Sequence, residues 1–175
     1  MNPIKDFSIP FVGLKPGKHI FTYEVKDSFF EYFQYSPVKK GNLTVEVEFD
    51  KQQENRFMLY MHFSGWVELI CDRCNEPYQQ EINADNKEIV KLGGSEEESD
   101  DDIMVLPKTA FEINIAELLY EFIIINCPMF PLHPLDEKGK PDCSKEMEEL
   151  LKKLNIENPE KELKDPRWDI LKNIK

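Results

Sequence analysis

The sequence predicts an α+β fold, with an antiparallel β-sheet or partial barrel in the N-terminal two-thirds packed by C-terminal helices. Three observations support this prediction. Apolar residues alternate with polar ones over 43–49 and again over 57–63, which is typical of half-buried strands. After residue 114 the apolar spacing becomes helical. Strands that come first and helices that come last favour a segregated α+β arrangement over an alternating one.

The strands are predicted in a consecutive series. Residues 19–25 alternate, and a polar turn at 52–55 joins the strands at 43–49 and 57–63 into a hairpin. Gly65 predicts a bulge or bend before 66–70. Further strands are expected at 78–82 and 103–106.

The helices are predicted from caps and apolar faces. Asn114 is expected to cap a helix that ends at Cys127-Pro128, and Ser144 a second helix. The second helix is expected to bury Met147, Leu150, Leu151 and Leu154. Asp165-Pro166 predicts the start of a third. The length of 175 residues fits one domain, and we expect a single domain, 1–175, with an acidic loop at 93–102 and a helical part at 114–175.

The net charge of −12 is concentrated between residues 92 and 144, which carry twelve acidic and three basic side chains. Six of the acids lie together in the loop that includes Glu96 and Asp102. No basic stripe of the kind that neutralises phosphates is present, which argues against RNA binding by a large surface. The N-terminus lacks the apolar core of a signal peptide and no apolar run is long enough to span a membrane, so a cytoplasmic protein with reduced thiols is expected.

Cys71-Asp72-Arg73-Cys74 is the motif most informative about chemistry. It fits half of a zinc site completed by Cys127 and Cys143, although those two cysteines are further apart than in a zinc ribbon. His133 lies between them and either serves as a ligand or is a rigid turn residue beside two prolines. The second interpretation is a pair of reduced thiols packed at a strand turn. A thiol redox protein is a third interpretation, disfavoured because a strand rather than a helix is predicted after Cys74. Glycine loops for phosphates, serine hydrolase motifs and calcium loops are absent, which predicts no enzyme and no small-molecule substrate.

Two motifs resemble those of the YceD family, bacterial proteins long described as a domain of unknown function. The first is Cys71-Asp72-Arg73-Cys74-Asn75-Glu76-Pro77, which is similar to the family's Cys-x-Arg-Cys-Leu-Glu-Pro apart from Asn75. The second is Asp165-Pro166-Arg167-Trp168, which is similar to a terminal motif of the family. On this resemblance Cys71, Arg73, Cys74, Pro77, Asp165, Pro166, Arg167 and Trp168 are family-motif residues with a binding role.

The resemblance implies a role in the synthesis, processing or stability of 23S ribosomal RNA. We therefore expect a non-enzymatic accessory factor in large ribosomal subunit biogenesis, without a required cofactor. Its partner would be ribosomal RNA or a basic large-subunit ribosomal protein, and the acidic charge favours the protein. The alternative from another class is a zinc-stabilised nucleic-acid-binding module, with Cys71, Cys74, Cys127 and Cys143 as the zinc candidates.

Overall fold

An open five-stranded sheet dominates the computed structural model, which describes residues 3–53, 55–93, 103–135, 139 and 142–154. Two short strands form a separate pair, and a short 3₁₀ helix spans Pro3–Phe7. In chain order the strands are β1 (Ser8–Pro10), β2 (Gly17–Val25), β3 (Gly41–Gln53), β4 (Arg56–Ile70), β5 (Pro77–Leu92), β6 (Ile103–Leu106) and β7 (Glu112–Asn114). The described helices are α1 (Asp27–Phe30), α2 (Ala116–Ile125) and α3 (Lys145–Leu154). The predicted α+β class is confirmed.

The sheet has the order β2-β3-β4-β5-β6, and its first four strands form an antiparallel meander. The predicted hairpin is confirmed as β3 and β4, in which Val45 lies opposite Phe63 and Phe49 opposite Leu59. Both strands are longer than the apolar alternation indicated. β6 departs from the antiparallel prediction, because it pairs with β5 in parallel, with Ile103 beside Ile89.

Gly65 does not produce the predicted bulge, since the pairing of β3 with β4 runs through it without a change of register. Its φ is +150°, and a Cβ built there would lie 2.2 Å from the Asn42 carbonyl oxygen and 2.7 Å from Leu43 Cα. The glycine therefore permits a close approach of two neighbouring backbones. The register shift of this pair lies instead between Lys51 and Gln53.

One face of the sheet carries the core. Its alternate residues include Val45, Val47, Leu59 and Phe63, each essentially inaccessible to solvent. The N-terminal segment and α2 pack on this face, with Phe11 against Phe57 and Phe122 against Phe63. Full burial of each such side chain contributes roughly 1.5–3 kcal/mol relative to exposure. The opposite face of the meander remains exposed to solvent.

The predicted helix is present as α2, but its N-cap position is Ile115 and not the predicted Asn114. The Asn114 side-chain oxygen accepts a hydrogen bond from the Ala116 N–H at 3.0 Å, which satisfies one of the free donors at the start of the helix. Its buried residues are Ala116, Leu118, Leu119 and Ile123. At the other end the Asn126 side chain donates to Asn86 on β5 at 2.7 Å, which fixes the helix terminus to the sheet.

Helix α3 begins after Ser144 as predicted, but its expected buried face is wrong in part. Leu150 and Leu154 are 49% and 67% exposed, and none of the described residues of α3 is buried. Met147 is half-buried and packs against the core. The predicted third helix with Asp165, Pro166, Arg167 and Trp168, and the acidic run 94–102, lie outside the described residues.

Candidate metal centre

The turn between β4 and β5 positions Cys71 and Cys74. Cys71 N–H donates to the Glu76 carbonyl oxygen at 2.9 Å, and Asn75 N–H donates to the Cys71 carbonyl oxygen at 2.8 Å. Asn75 adopts a left-handed conformation with φ of 57°, which asparagine tolerates better than most residues. This tight turn directs both thiols inward, where the cysteines are only 1% and 2% exposed.

A proline-rich segment, of which the structure describes 131–135, 139 and 142–143, returns to this turn. The Asp72 N–H donates to the Pro131 carbonyl oxygen at 2.8 Å, which holds the start of the segment against the turn. The Asp142 N–H donates to the Pro134 carbonyl oxygen at 3.1 Å and brings the end of the segment back towards its start. His133 and Cys143 consequently lie beside the two cysteines of the turn.

The four side chains form a compact tetrad, defined here as Cys71, Cys74, His133 and Cys143. His133 Nδ1 is 3.3 Å from Cys74 Sγ and 3.8 Å from Cys143 Sγ. Cys71 Sγ is 4.0 Å from Cys143 Sγ, and all four ligand atoms lie within 4.8 Å of one another.

The pKa values of the thiols reflect this crowding. Burial raises the pKa of Cys71, but hydrogen bonds from the backbone N–H groups of Cys74, His133 and Arg73 together outweigh it and lower the pKa to about 6. Burial and hydrogen bonds to the other two sulfurs raise the pKa of Cys143 to about 12. Within the tetrad, negative charge is therefore favoured on the Cys71 sulfur over the Cys143 sulfur.

Of the four cysteines considered as zinc candidates, Cys127 lies outside the tetrad. Its thiol donates to the Ile123 carbonyl oxygen at 3.2 Å, within its own helical turn, and burial raises its pKa to about 11. His133 occupies the fourth position instead. The sequence offered Cys127 as the fourth cysteine, and the signal for His133 as a ligand was its position between Cys127 and Cys143, although its two neighbouring prolines equally indicated a rigid turn residue.

Residues 59–175 match the model of the YceD family, described as large ribosomal RNA subunit accumulation protein YceD. This chain belongs to the YceD family. The family's name implies a role in the accumulation of large-subunit ribosomal RNA. No curated protein and no solved structure matches the chain significantly. The match includes the whole tetrad and most of the sheet, but not β2 and β3.

The YceD motif residues that the structure describes lie around the tetrad turn. Cys71 and Cys74 are buried, whereas Arg73 and Pro77 are exposed beside them. The other motif residues, Asp165 to Trp168, fall outside the described residues, so the structure does not relate the two motifs. None of the helices in the described ranges is long and apolar enough to cross a membrane.

The chain also presents an acidic surface, which we call the acidic sheet face. It is the solvent-exposed face of β2 to β5, and its acidic side chains are Glu24, Glu46, Glu48, Asp50, Glu68, Glu81 and Asp85. Lysines pair with three of them, in the pairs Lys18–Glu48, Lys26–Glu24 and Lys40–Glu68. Among the remaining four, Asp85 contacts His62 at 2.8 Å. The strands add Arg56, Lys87 and Lys91 as further cations on this face. Arg56 and Lys91 lie opposite each other at one end of the face, so negative charge predominates over the rest of it, where the seven acidic side chains meet four lysines.

The aromatic cluster at 29–35 divides between core and surface. Phe29 and Phe30 are buried, and the Phe33 ring stacks on Tyr120 with centroids 3.8 Å apart. Tyr32 and Tyr35 are exposed, Tyr35 by 90%. Most of this segment therefore packs, as aromatic side chains in a small domain usually do.

Proposed function

We propose that this chain is a non-enzymatic accessory factor that supports the accumulation of large-subunit ribosomal RNA by holding a basic protein of that subunit. The acidic sheet face is the single observation that carries this proposal. The family description supports the process in which it takes part. A cytoplasmic location is part of the proposal.

The acidic sheet face suits a lysine- and arginine-rich partner. Glu46 and Glu81 are exposed, and neither forms one of the lysine pairs on this face. Asp85, also exposed, lies on the same face and contacts only a histidine among the ion pairs of the described residues. A negative surface attracts a basic chain at long range and discriminates against acidic partners.

The same charge makes direct RNA binding the less favourable alternative. A surface that binds RNA strongly neutralises several phosphates with lysine or arginine, and the acidic sheet face would repel the backbone. Arg73 is exposed, but its turn also carries Asp72 and Glu76. The alternative, a zinc-stabilised nucleic-acid-binding module, makes two claims. The tetrad favours zinc binding, whereas the charge of the acidic sheet face does not favour nucleic-acid binding.

The test compares two probes, the proteins of the large subunit freed of RNA and purified 23S ribosomal RNA. We expect the wild-type chain to bind the protein fraction and not the RNA at about 0.15 M salt. A variant with Glu46→Gln, Glu81→Gln and Asp85→Asn should bind the proteins about tenfold more weakly, since each exposed pair contributes roughly 0.2–1 kcal/mol.

The control variant removes the same charge elsewhere. Glu112, Glu117 and Glu121 are exposed on β7 and α2, away from the acidic sheet face, and their replacement by glutamine should leave binding unchanged. Equal loss in both variants would show a net-charge effect and contradict a defined surface. Binding to 23S ribosomal RNA that falls about 100-fold or more between about 50 and 200 mM salt would overturn the proposal in favour of direct RNA contact.

A sucrose gradient of host lysate addresses the process itself. Co-migration of the tagged chain with precursors of the large subunit at moderate salt supports an assembly factor. If the triple variant leaves the precursor fractions while the control variant stays, the acidic sheet face is the contact. Unchanged migration of the triple variant would assign the contact to another surface.

A further inference from the structure

We propose that Cys71, Cys74, His133 and Cys143 bind one structural zinc ion, which fastens the proline-rich segment and the start of α3 to the turn between β4 and β5. This inference goes beyond the proposed function and does not rest on the identity of the partner. It rests on geometry, ligand type and the packing of α3.

The distances within the tetrad match a tetrahedral site. With Zn–S near 2.3 Å and Zn–N near 2.0–2.1 Å, a tetrahedron has S···S edges of about 3.8 Å and S···N edges of about 3.5 Å. The observed separations are 4.0 Å for Cys71 to Cys143, and 3.3 and 3.8 Å from His133 Nδ1 to Cys74 and Cys143. The other three separations within the tetrad are at most 4.8 Å, so shifts of no more than about 1 Å close all four ligands around one ion.

The donor set selects the metal. Three thiolate sulfurs and one imidazole nitrogen favour zinc among the abundant cations, whereas magnesium and calcium require oxygen ligands. Four protein ligands fill a tetrahedral ion and leave no position for water or substrate. The site is therefore structural and not catalytic.

The surroundings orient each ligand. Asn75, in its left-handed conformation, closes the turn that presents Cys71 and Cys74. Backbone N–H groups of Arg73, Cys74 and His133 donate to the Cys71 sulfur and offset the negative charge of a thiolate-rich site. The His133 ring packs on Tyr78 with centroids 5.1 Å apart, while its Nδ1 faces the sulfurs. Nδ1 is therefore the ligating nitrogen.

The packing of α3 explains what the ion contributes. None of the described residues of this helix is buried, so apolar contacts hold it weakly. Cys143, two residues before α3, packs against the core together with Met147. A metal bond at Cys143 supplies an anchor for the helix that its leucines do not provide.

The test begins with zinc content and cobalt substitution. The reduced full-length chain should contain close to one zinc ion per molecule by native mass spectrometry. The cobalt-substituted chain should show the visible bands of tetrahedral cobalt and a thiolate charge-transfer band. Absence of both signals in the reduced chain would overturn the proposal, as would the absorbance of an iron–sulfur cluster or a native Cys71–Cys143 disulfide.

Variants identify the ligands. Cys143→Ser and His133→Ala should weaken zinc binding by about 100-fold or more. Even the loss of a residue that only hydrogen-bonds to a metal ligand lowers metal affinity by about 10–100-fold, and these two side chains are themselves ligands. His133→Cys should retain zinc with an altered cobalt spectrum, which separates loss of a ligand from loss of the fold. Cys127→Ser is the matched control and should bind zinc like the wild type. Equal zinc binding by Cys143→Ser and the wild type, or a loss of zinc in Cys127→Ser, would overturn the ligand assignment.

Discussion

Cys74 and His133 are 59 positions apart in the sequence, yet Cys74 Sγ lies 3.3 Å from His133 Nδ1. The contact joins the sheet to the segment that precedes α3. If the tetrad holds zinc, removal of the metal should release this segment first. Limited proteolysis of chelator-treated chain should cut within 128–154 while β2 to β5 stay intact, and added zinc should restore protection. Cleavage that starts in the sheet would contradict a local role for the tetrad.

We expect position 65 to require glycine for a stable fold. In Gly65→Ala the new Cβ would meet the Asn42 carbonyl oxygen at 2.2 Å, and the φ of +150° is strained for any L side chain. We expect a loss of more than about 2 kcal/mol in the free energy of unfolding, by urea denaturation. Gly13→Ala is the control, since a Cβ there meets nothing within 4 Å. Equal stability of the two variants would contradict the close approach of β3 and β4.

We expect Phe63 to make a large contribution to the free energy of unfolding, because it lies on the core face of the sheet. Its side chain is inaccessible to solvent and contacts Phe122, so Phe63→Ala should lower the free energy of unfolding by about 3–5 kcal/mol. Tyr35→Ala, at a side chain that is 90% exposed, should change it by less than about 0.5 kcal/mol. Thermal and urea unfolding measure both. A small effect at Phe63 would mean that α2 does not cover this part of the sheet.

We expect the burial of Tyr23 to make the folded chain less stable at alkaline pH. Burial raises the pKa of this half-buried tyrosine to about 12, against about 10 in the unfolded chain. The folded state then binds the proton more tightly, so its stabilising effect is complete below pH 10 and declines as pH rises towards 12. Tyr23→Phe should lose less stability than the wild type between about pH 10 and 12. The check is urea unfolding across this range, and parallel curves would show that Tyr23 ionises normally.

We expect the Cys127 thiol to react slowly with alkylating reagents in the folded chain. With its pKa raised to about 11, roughly 0.1% is thiolate at pH 8, whereas an ordinary cysteine with pKa near 8.5 is about a quarter ionised. Alkylation of Cys127 by iodoacetamide should be about 100-fold slower in the native chain than in urea, by peptide mass spectrometry. Rapid native modification would show that the turn after α2 opens readily.

The parts of the fold that local patterns determine were predictable. Alternation around Val45 and Phe63 predicts which face of each strand is buried, and Asn114 predicts the start of a helix, because both signals lie within a few residues. The parallel pairing of Ile89 with Ile103 is not encoded locally. The exposure of Leu150 depends on whether another element covers α3, which helical periodicity does not report.

Three residues of the tetrad, Cys71, Cys74 and Cys143, were among the predicted zinc candidates, and His133 was left open between a ligand and a turn residue. Cys71 and Cys74 lie in one turn and identify themselves by spacing. The other two ligands depend on which distant segment returns to that turn, and counting cysteines favoured Cys127. The backbone hydrogen bond from Asp72 to Pro131 brings His133, and not Cys127, to the two cysteines of the turn. A contact of this kind depends on the folded path of the chain and has no local signal in the sequence.

The meander of β2 to β5 has a consequence for the order of assembly during synthesis. Each of these strands pairs with the next one along the chain, so the pairing is complete once residue 92 is available. Contacts between neighbouring strands close short loops and form early, whereas the tetrad must wait for residue 143. The nascent chain can thus finish its sheet, with Cys71 and Cys74 already in their turn, before translation supplies the two side chains that complete the set.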